Sequence, residues 1–193
     1  MKKRALFIFG ALIGCSGSEP ATTDAAVDTP PDMFIYDEPG IPMTLTSPTI
    51  TEGMPIPLTH VCANRGGQNQ SPQLTINNVP SGTMSFAVVL TDLSNQLVHC
   101  AIYDVPSSTT TLPANIDKNP SPTAVPGAKQ TPSYNTNVIG YNGPCPGSLH
   151  TYQFKVYALG AATLSGITTK ESVVTAASAS NLGTATLTGT FTP

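Results

Sequence analysis

Residues 184–191 alternate strictly between threonine and residues that are small or apolar. Side chains on a β-strand point alternately to its two faces, whereas side chains on a helix repeat about every 3.6 residues. A strict period of two therefore separates a polar face from an apolar face only in a strand. The pattern predicts a half-buried β-strand, whose inward positions are Ala185, Leu187, Gly189 and Phe191.

Four other segments also have the composition of strands. Residues 85–90 form a continuous apolar run between turn residues, which is typical of a strand buried on both faces. Residues 151–158 place Tyr152 and every second residue after it on one face. The remaining strand segments are residues 43–46 and 98–103.

One helix is predicted late in the chain. Thr168–Glu171 has the pattern of a capping box, residues 173–179 continue the helix, and Asn181 and Gly183 are able to end it. The chain has 16 Gly and 19 Pro, so turns between the strands are frequent. Many short strands and one late helix predict a mainly β fold, a β-sandwich with a short C-terminal helix.

The N-terminus has the organisation of an export signal. Three basic residues precede an apolar stretch, residues 5–13, that is too short to cross a bilayer. The stretch ends in Leu12–Cys15, which resembles the bacterial lipobox, where cleavage precedes a cysteine that is then acylated. We predict a signal peptide over residues 1–14, lipidation of Cys15, and an exported, membrane-anchored lipoprotein of the bacterial cell envelope. An ordinary secretory signal that contains a cysteine is the alternative.

The segment 15–40 carries six acidic residues and no basic ones. It has several prolines and few large apolar side chains, so we predict a disordered acidic tether. The apolar stretch Met33–Tyr36 leaves a structured arm as the alternative. In residues 41–193, the predicted folded domain, five acidic residues balance five basic ones. This balance gives no basic surface for nucleic acid.

Three polar side chains are predicted to meet at one end of a sheet. Asp92 ends the apolar strand that begins at residue 85, and His99 begins the next strand seven residues later. A short connection between paired strands places Asp92 and His99 side by side. His150 is in phase with Tyr152 on an apolar strand face, where a histidine needs a polar partner, and Asp92 is the candidate. From the residues alone, these groups either form a ligand site or simply satisfy one another's hydrogen bonds.

An ordered set of motifs covers almost the whole predicted domain. The motifs are Asn69–Leu74, Val79–Thr83, Thr91–Asp92, His99, Gly143–Pro146, and His150 with Tyr152. This set resembles the phosphatidylethanolamine-binding protein family, in particular its bacterial Raf kinase inhibitor-like branch, over about residues 45–191. The resemblance implies two antiparallel sheets packed face to face with a C-terminal helix. It also implies one shallow pocket for phosphate, a phosphorylated head group or a similar small anion, a role in modulating other proteins, and no cofactor.

Residue by residue, the resemblance implies a set of ligand-binding positions. The set is Asp92, His99, Gly143, Pro144, His150 and Tyr152. The two imidazoles would donate N–H groups to the anion, one of them oriented by the aspartate, and backbone N–H groups of the Gly143 loop would add donors. The chain departs from the family pattern where Ser94 replaces the second acid of an Asp-Pro-Asp motif, Cys100 replaces an aromatic residue, and Thr151 replaces an arginine. These departures affect which ligand binds and how tightly, more than they affect the fold.

The chain has four cysteines, and export permits disulfides. With Cys15 acylated, an odd number remains. Cys62 and Cys145 lie in segments that resemble cysteine-containing positions of the family, so they are a possible disulfide, with Cys100 buried and free. The alternative is three small buried hydrophobic residues.

Two other kinds of function remain open. Asp92, His99 and His150 are residue types that a metal-dependent or Asp/His hydrolase uses, but the sequence has neither a nucleophile-elbow pattern nor an HExxH motif. The tether and the threonine-rich C-terminal strand also fit a surface adhesion or structural domain. We expect a non-catalytic protein without a metal, which binds a small anionic or phosphorylated ligand. The resemblance leaves a protein partner open, and the sequence does not name one.

Overall fold

The computed structural model describes residues 41–193 of the chain. The predictions for the signal peptide, for Cys15 and for the tether over residues 15–40 lie outside the described residues. In the described part, no helix is long and apolar enough to cross a membrane.

The described chain forms two antiparallel sheets and one α-helix. The elements are β1 (Thr44–Thr46), β2 (Leu74–Asn77), β3 (Ser85–Asp92), β4 (Leu97–Pro106), β5 (Thr111–Leu112), β6 (Lys129–Gln130), β7 (His150–Leu159), α1 (Lys170–Ala179) and β8 (Asn181–Phe191). The smaller sheet has the order β1-β2-β5 and the larger sheet has the order β6-β4-β3-β7-β8. Two short 3-10 helices, Leu58–His60 and Ala63–Arg65, lie between β1 and β2. This architecture confirms the predicted mainly β sandwich with a short helix near its C-terminus.

The central strand β3 is buried on both faces, as its apolar run predicted. Phe86 and Leu90 pack into the core between the two sheets. Ala87, on the opposite face, packs with Val173 and Ala177 of α1. Burial of apolar side chains on both faces stabilises the middle of the larger sheet. The end of β3, where the predicted site begins, is therefore held in a fixed position.

The alternating C-terminal segment forms the edge strand β8. Ala185 and Leu187 are buried in the core between the sheets, and Thr186 on the other face is exposed. The strand is longer than predicted, because it begins at Asn181, where it pairs with Leu159 of β7. Pairing with a distant strand extends β8 beyond the residues that alternate.

The helix α1 begins one residue later than the predicted capping box. Its N-cap is Thr169, whose side chain accepts a hydrogen bond from the N–H of Ser172 over 3.2 Å. The N–H of Thr169 in turn donates to the Ser172 hydroxyl oxygen over 3.0 Å. The prediction that Thr168 and Glu171 form the box is therefore wrong. A serine hydroxyl replaces the expected carboxylate because it is also an acceptor.

Candidate functional site

Three neighbouring strands of the larger sheet carry the predicted site residues at one edge. β3 lies between β4 and β7, and its last residue, Asp92, pairs with Leu97 on one side and with Tyr152 on the other. His150 is the first residue of β7, and His99 lies near the start of β4. The structure thus brings Asp92, His99, His150 and Tyr152 around one pocket.

A β-bulge sets the position of His99. Leu90 of β3 pairs with Cys100, and the next residue, Thr91, pairs with Val98, so His99 is the extra residue on β4. A bulge re-aims a side chain relative to the regular alternation of a strand. As a result, the His99 side chain lines the pocket and is only 3% exposed, while the adjacent Cys100 packs into the core between the sheets.

The protonation of His99 follows from its hydrogen bond to the backbone. Nδ1 of His99 donates to the carbonyl oxygen of Asn142 over 3.0 Å. A carbonyl can only accept, so Nδ1 carries the proton and Nε2 is the ring nitrogen left for the pocket. Burial lowers the pKa of His99, while the Asn142 carbonyl and the charge of Asp92 oppose this shift. The neutral ring presents an acceptor, and it can donate to an anion only when it is protonated.

Asp92 is held by two donors. Nδ1 of His150 donates to its Oδ2 over 2.6 Å, and the N–H of Ser94 donates to its Oδ1 over 2.9 Å. The side chain of Asp92 is 3% exposed and that of His150 is 21% exposed. Asp92 is therefore the polar partner that the sequence predicted for His150, and Nε2 of His150 is the nitrogen left for a ligand.

Ser94 and Thr151, two residues at which the chain departs from the family pattern, are joined by a hydrogen bond. The N–H of Thr151 donates to Oγ of Ser94 over 3.0 Å. The serine that replaces the second acid thus ties the β3–β4 turn to the start of β7. Its backbone N–H, which does not depend on the side chain, also donates to Asp92. The serine leaves this end of the site with one negative charge fewer than the family pattern gives.

Aromatic rings surround the two histidines. The ring centroid of Tyr134 lies 4.4 Å from that of His99, and Tyr152 contacts His99 edge-on at 5.3 Å. Burial raises the pKa of Tyr152 well above its usual value, and the charge of Asp92 adds to this shift. Burial also raises the pKa of Tyr134, so both phenols stay neutral near pH 7. Tyr134 is not among the site residues predicted from the sequence, although a tyrosine in a polar, turn-rich segment is a signal that could have selected it.

The pocket is small. Its volume is about 90 Å³, which is room for a group of a few heavy atoms. Besides the residues already placed there, its lining includes Asn95, Leu97, Tyr134, Cys145 and Pro146.

Gly143 and Pro144 are buried and do not line the pocket, whereas the two residues that follow them do. The N–H of Gly143 donates to Oδ1 of Asn69 over 2.8 Å. It is therefore not a free donor for an anion, contrary to the expectation from the sequence. A glycine is needed at this position because a Cβ would overlap the carbonyl group of His60. Gly143 and Pro144 are packed behind the pocket wall and position the two lining residues that follow them, Cys145 and Pro146.

Cys62 and Cys145 are joined as a disulfide, with their Cα atoms 5.4 Å apart. The bond attaches the residue before the 3-10 helix Ala63–Arg65 to the pocket wall. Among the described residues Cys100 is the free cysteine, and burial raises the pKa of its thiol to about 11. A buried thiol with a raised pKa is a poor nucleophile.

The third histidine, His60, does not line the pocket. Its Nδ1 donates to the carbonyl oxygen of Gln70 over 2.8 Å, and the Thr49 hydroxyl lies 2.8 Å from its Nε2. Burial lowers its pKa. Both ring nitrogens are satisfied inside the protein, so His60 has a structural role.

No three His, Cys, Asp or Glu side chains within residues 41–193 are grouped so that they could hold a metal ion. Both carboxylate oxygens of Asp92 already accept hydrogen bonds from the protein.

The sequence profile of the family described as phosphatidylethanolamine-binding protein matches residues 46–192. The chain belongs to the phosphatidylethanolamine-binding protein family. The matched region includes both sheets, with the exception of the first residues of β1 and the residues before it, and it includes the whole pocket.

Three bacterial proteins illustrate the similarity to this family member. A UPF0098 protein of Aquifex aeolicus is 32% identical over 136 residues, which cover 67% of this chain and 75% of the relative. The crystal structure of Escherichia coli YbcL, described as a new member of the mammalian PEBP family, matches with a TM-score of 0.71 and 30% identity, over 79% of this chain and 99% of that one. A protein of Mycobacterium tuberculosis that is named as a lipoprotein, LppC, is 30% identical over 162 residues, which cover 78% of this chain and 72% of the relative.

Proposed function

We propose that this family member binds a small phosphate-like anion in the pocket formed by Asp92, His99, His150 and Tyr152, and that it is a binding protein rather than an enzyme. The main support is that both imidazoles have their Nδ1 atoms bonded to the protein, His99 to Asn142 and His150 to Asp92. Both rings line the same pocket, with Nε2 left for a ligand. Protonated rings would offer two oriented, charged N–H donors to the oxygens of one anion.

The carboxylate of Asp92 makes this binding depend on pH. While both imidazoles are neutral, the pocket carries a net negative charge and repels an anion. Protonation of His99 and His150 reverses that charge and turns both Nε2 atoms into donors. Because burial lowers the pKa of His99, this ring gains its proton below about pH 6.5. Anion binding is therefore expected to strengthen as the pH falls through this range.

The composition of the pocket lining supports binding without catalysis. The lining residues include no serine or threonine, and their cysteine, Cys145, is held in a disulfide. The competing candidate is a hydrolase in which the bonded pair of Asp92 and His150 activates water. Release of product from a chromogenic phosphate ester by the wild type, abolished in His150→Ala, would favour that candidate.

The second part of the proposal concerns export. We propose that the protein is anchored in the cell envelope by acylation of Cys15 and that residues 15–40 tether the folded domain. The lipobox-like Leu12–Cys15, the similarity to LppC and a disulfide that suits an oxidising compartment all support this location. The resemblance to Raf kinase inhibitor-like proteins adds modulation of another protein to the proposal.

Histidine NMR combined with calorimetry tests the anion site. Inorganic phosphate or phosphoethanolamine should shift the ring signals of His99 and His150, while His60, which does not line the pocket, serves as an internal control. His99→Ala should weaken binding by roughly 1.5–3 kcal/mol, the range for a hydrogen bond to a charged group. Equal shifts of all three histidines, or unchanged affinity in His99→Ala, would contradict the proposal.

A further inference from the structure

The proposed anion-binding pocket lacks positive charge near neutral pH. Asp92 contributes a negative charge, Tyr134 and Tyr152 have raised pKa values and are neutral, and burial favours the neutral form of His99. The cysteine in the lining cannot ionise because it is part of a disulfide. A permanent positive charge at the pocket would therefore strengthen the binding of an anion near pH 7.

Arg65 is placed to supply this charge. It ends the 3-10 helix Ala63–Arg65, and its Nε donates to the carbonyl oxygen of Pro146, a pocket-lining residue, over 2.7 Å. A Cβ built on the next residue, Gly147, would lie 3.9 Å from Nη2, so the guanidinium lies against the loop that contributes Cys145 and Pro146 to the pocket wall. The disulfide between Cys62 and Cys145 fixes the same two segments to each other.

Arg65 also differs from the other basic residues of residues 41–193 in its surroundings. Lys129 and Lys170 pair with carboxylates, and Lys118 donates to the carbonyl oxygen of Tyr141. The ammonium of Lys155 lies over the ring of Tyr157. Arg65 makes no salt bridge within the described residues, and it is exposed to solvent. One of its donors is used by Pro146, which leaves the donors on Nη1 and Nη2 for an anion.

We propose that Arg65 is an anion-binding residue of this pocket, which supplies a charge that does not depend on pH and lets the site hold a phosphate-like group before both histidines are protonated. The inference rests on the proposed anion site and adds a residue from outside the motifs of the family resemblance.

Binding of sulfate to the full chain tests the role of Arg65. Sulfate stays a dianion between about pH 5.5 and about pH 8. Any change in its affinity over this range is therefore caused by protonation of the protein and not of the ligand. We expect Arg65→Gln to weaken sulfate binding roughly ten- to hundredfold at about pH 8, and less at about pH 5.5, where protonation of His99 contributes. Arg65→Lys should restore most of the affinity, and Lys155→Gln, which removes a charge beside Tyr157, should behave as the wild type.

The controls separate this inference from the function on which it rests. Thermal unfolding of each variant shows whether loss of the bond to Pro146 has loosened the loop. Wild-type affinity in a folded Arg65→Gln at both pH values would overturn the role of Arg65 and leave the anion site standing. So would an Arg65→Lys that binds as weakly as Arg65→Gln, because charge would then not be the cause. A wild type that binds neither sulfate nor phosphate at either pH would overturn both.

Discussion

Nδ1 of His150 lies 2.6 Å from Oδ2 of Asp92, which joins two side chains 58 positions apart in the sequence. The contact links the last residue of β3 to the first residue of β7, the neighbouring strand in the larger sheet. It orients the more exposed of the two pocket imidazoles, and it places a carboxylate inside a pocket for which we propose an anionic ligand.

Removing this carboxylate should destabilise the protein. Asp92→Ala leaves Nδ1 of His150 and the N–H of Ser94 without their acceptor, so the free energy of unfolding should fall by about 1.5–3 kcal/mol. Asp92→Asn keeps one acceptor oxygen and should lose less. Urea unfolding above pH 7 measures both values, and an alanine variant as stable as the wild type would contradict the structural role of the pair.

The stability of the protein should fall in mild acid. Burial lowers the pKa values of His60 and His99 in the folded state, so below about pH 6.5 the unfolded chain binds more protons than the folded one. The free energy of unfolding should therefore rise with pH up to about 6.5 and then level off. Urea titrations across this range should show a smaller slope for His60→Gln, and an equal slope in that variant would rule out His60 as a source.

The cysteines should give a distinct count of reactive thiols. In an oxidised Cys15→Ala protein, a thiol reagent should find none in the native state, because Cys100 is buried and the pKa of its thiol is raised to about 11. Denaturation without reductant should expose one, and reduction should expose three, since Cys62 and Cys145 are disulfide-bonded. Three reactive thiols before reduction would refute the disulfide.

Membrane attachment should depend on Cys15. The lipobox-like sequence predicts that Cys15→Ala releases the protein into the soluble fraction, because the acyl chains then have no attachment point. Fractionation of cells that express wild type and variant measures this. An intact mass that shows an unmodified Cys15 in membrane-extracted wild type would exclude the anchor.

The sequence determined the fold class because its patterns are local. The alternation over residues 184–191 and the apolar run over residues 85–90 specify which side chains must be buried, and strands satisfy both patterns. The same patterns also placed Asp92 and His99 at one edge of a sheet, since a short connection between paired strands leaves them no other position. The exact helix cap was not determined, because Thr168 and Thr169 are both possible N-cap residues.

The tertiary structure decided which atoms face the pocket. The bulge at His99 depends on the register between β3 and β4, and the proton on its Nδ1 depends on the Asn142 carbonyl, 43 positions away. Oδ1 of Asn69 accepts the hydrogen bond of the Gly143 N–H. Packing also brings Tyr134 to the pocket and Arg65 to the carbonyl oxygen of Pro146, both from segments without a regular pattern. Local patterns encode burial, because burial acts on each side chain separately. The direction of a hydrogen bond depends on where a distant partner lies, so only the assembled fold determines it.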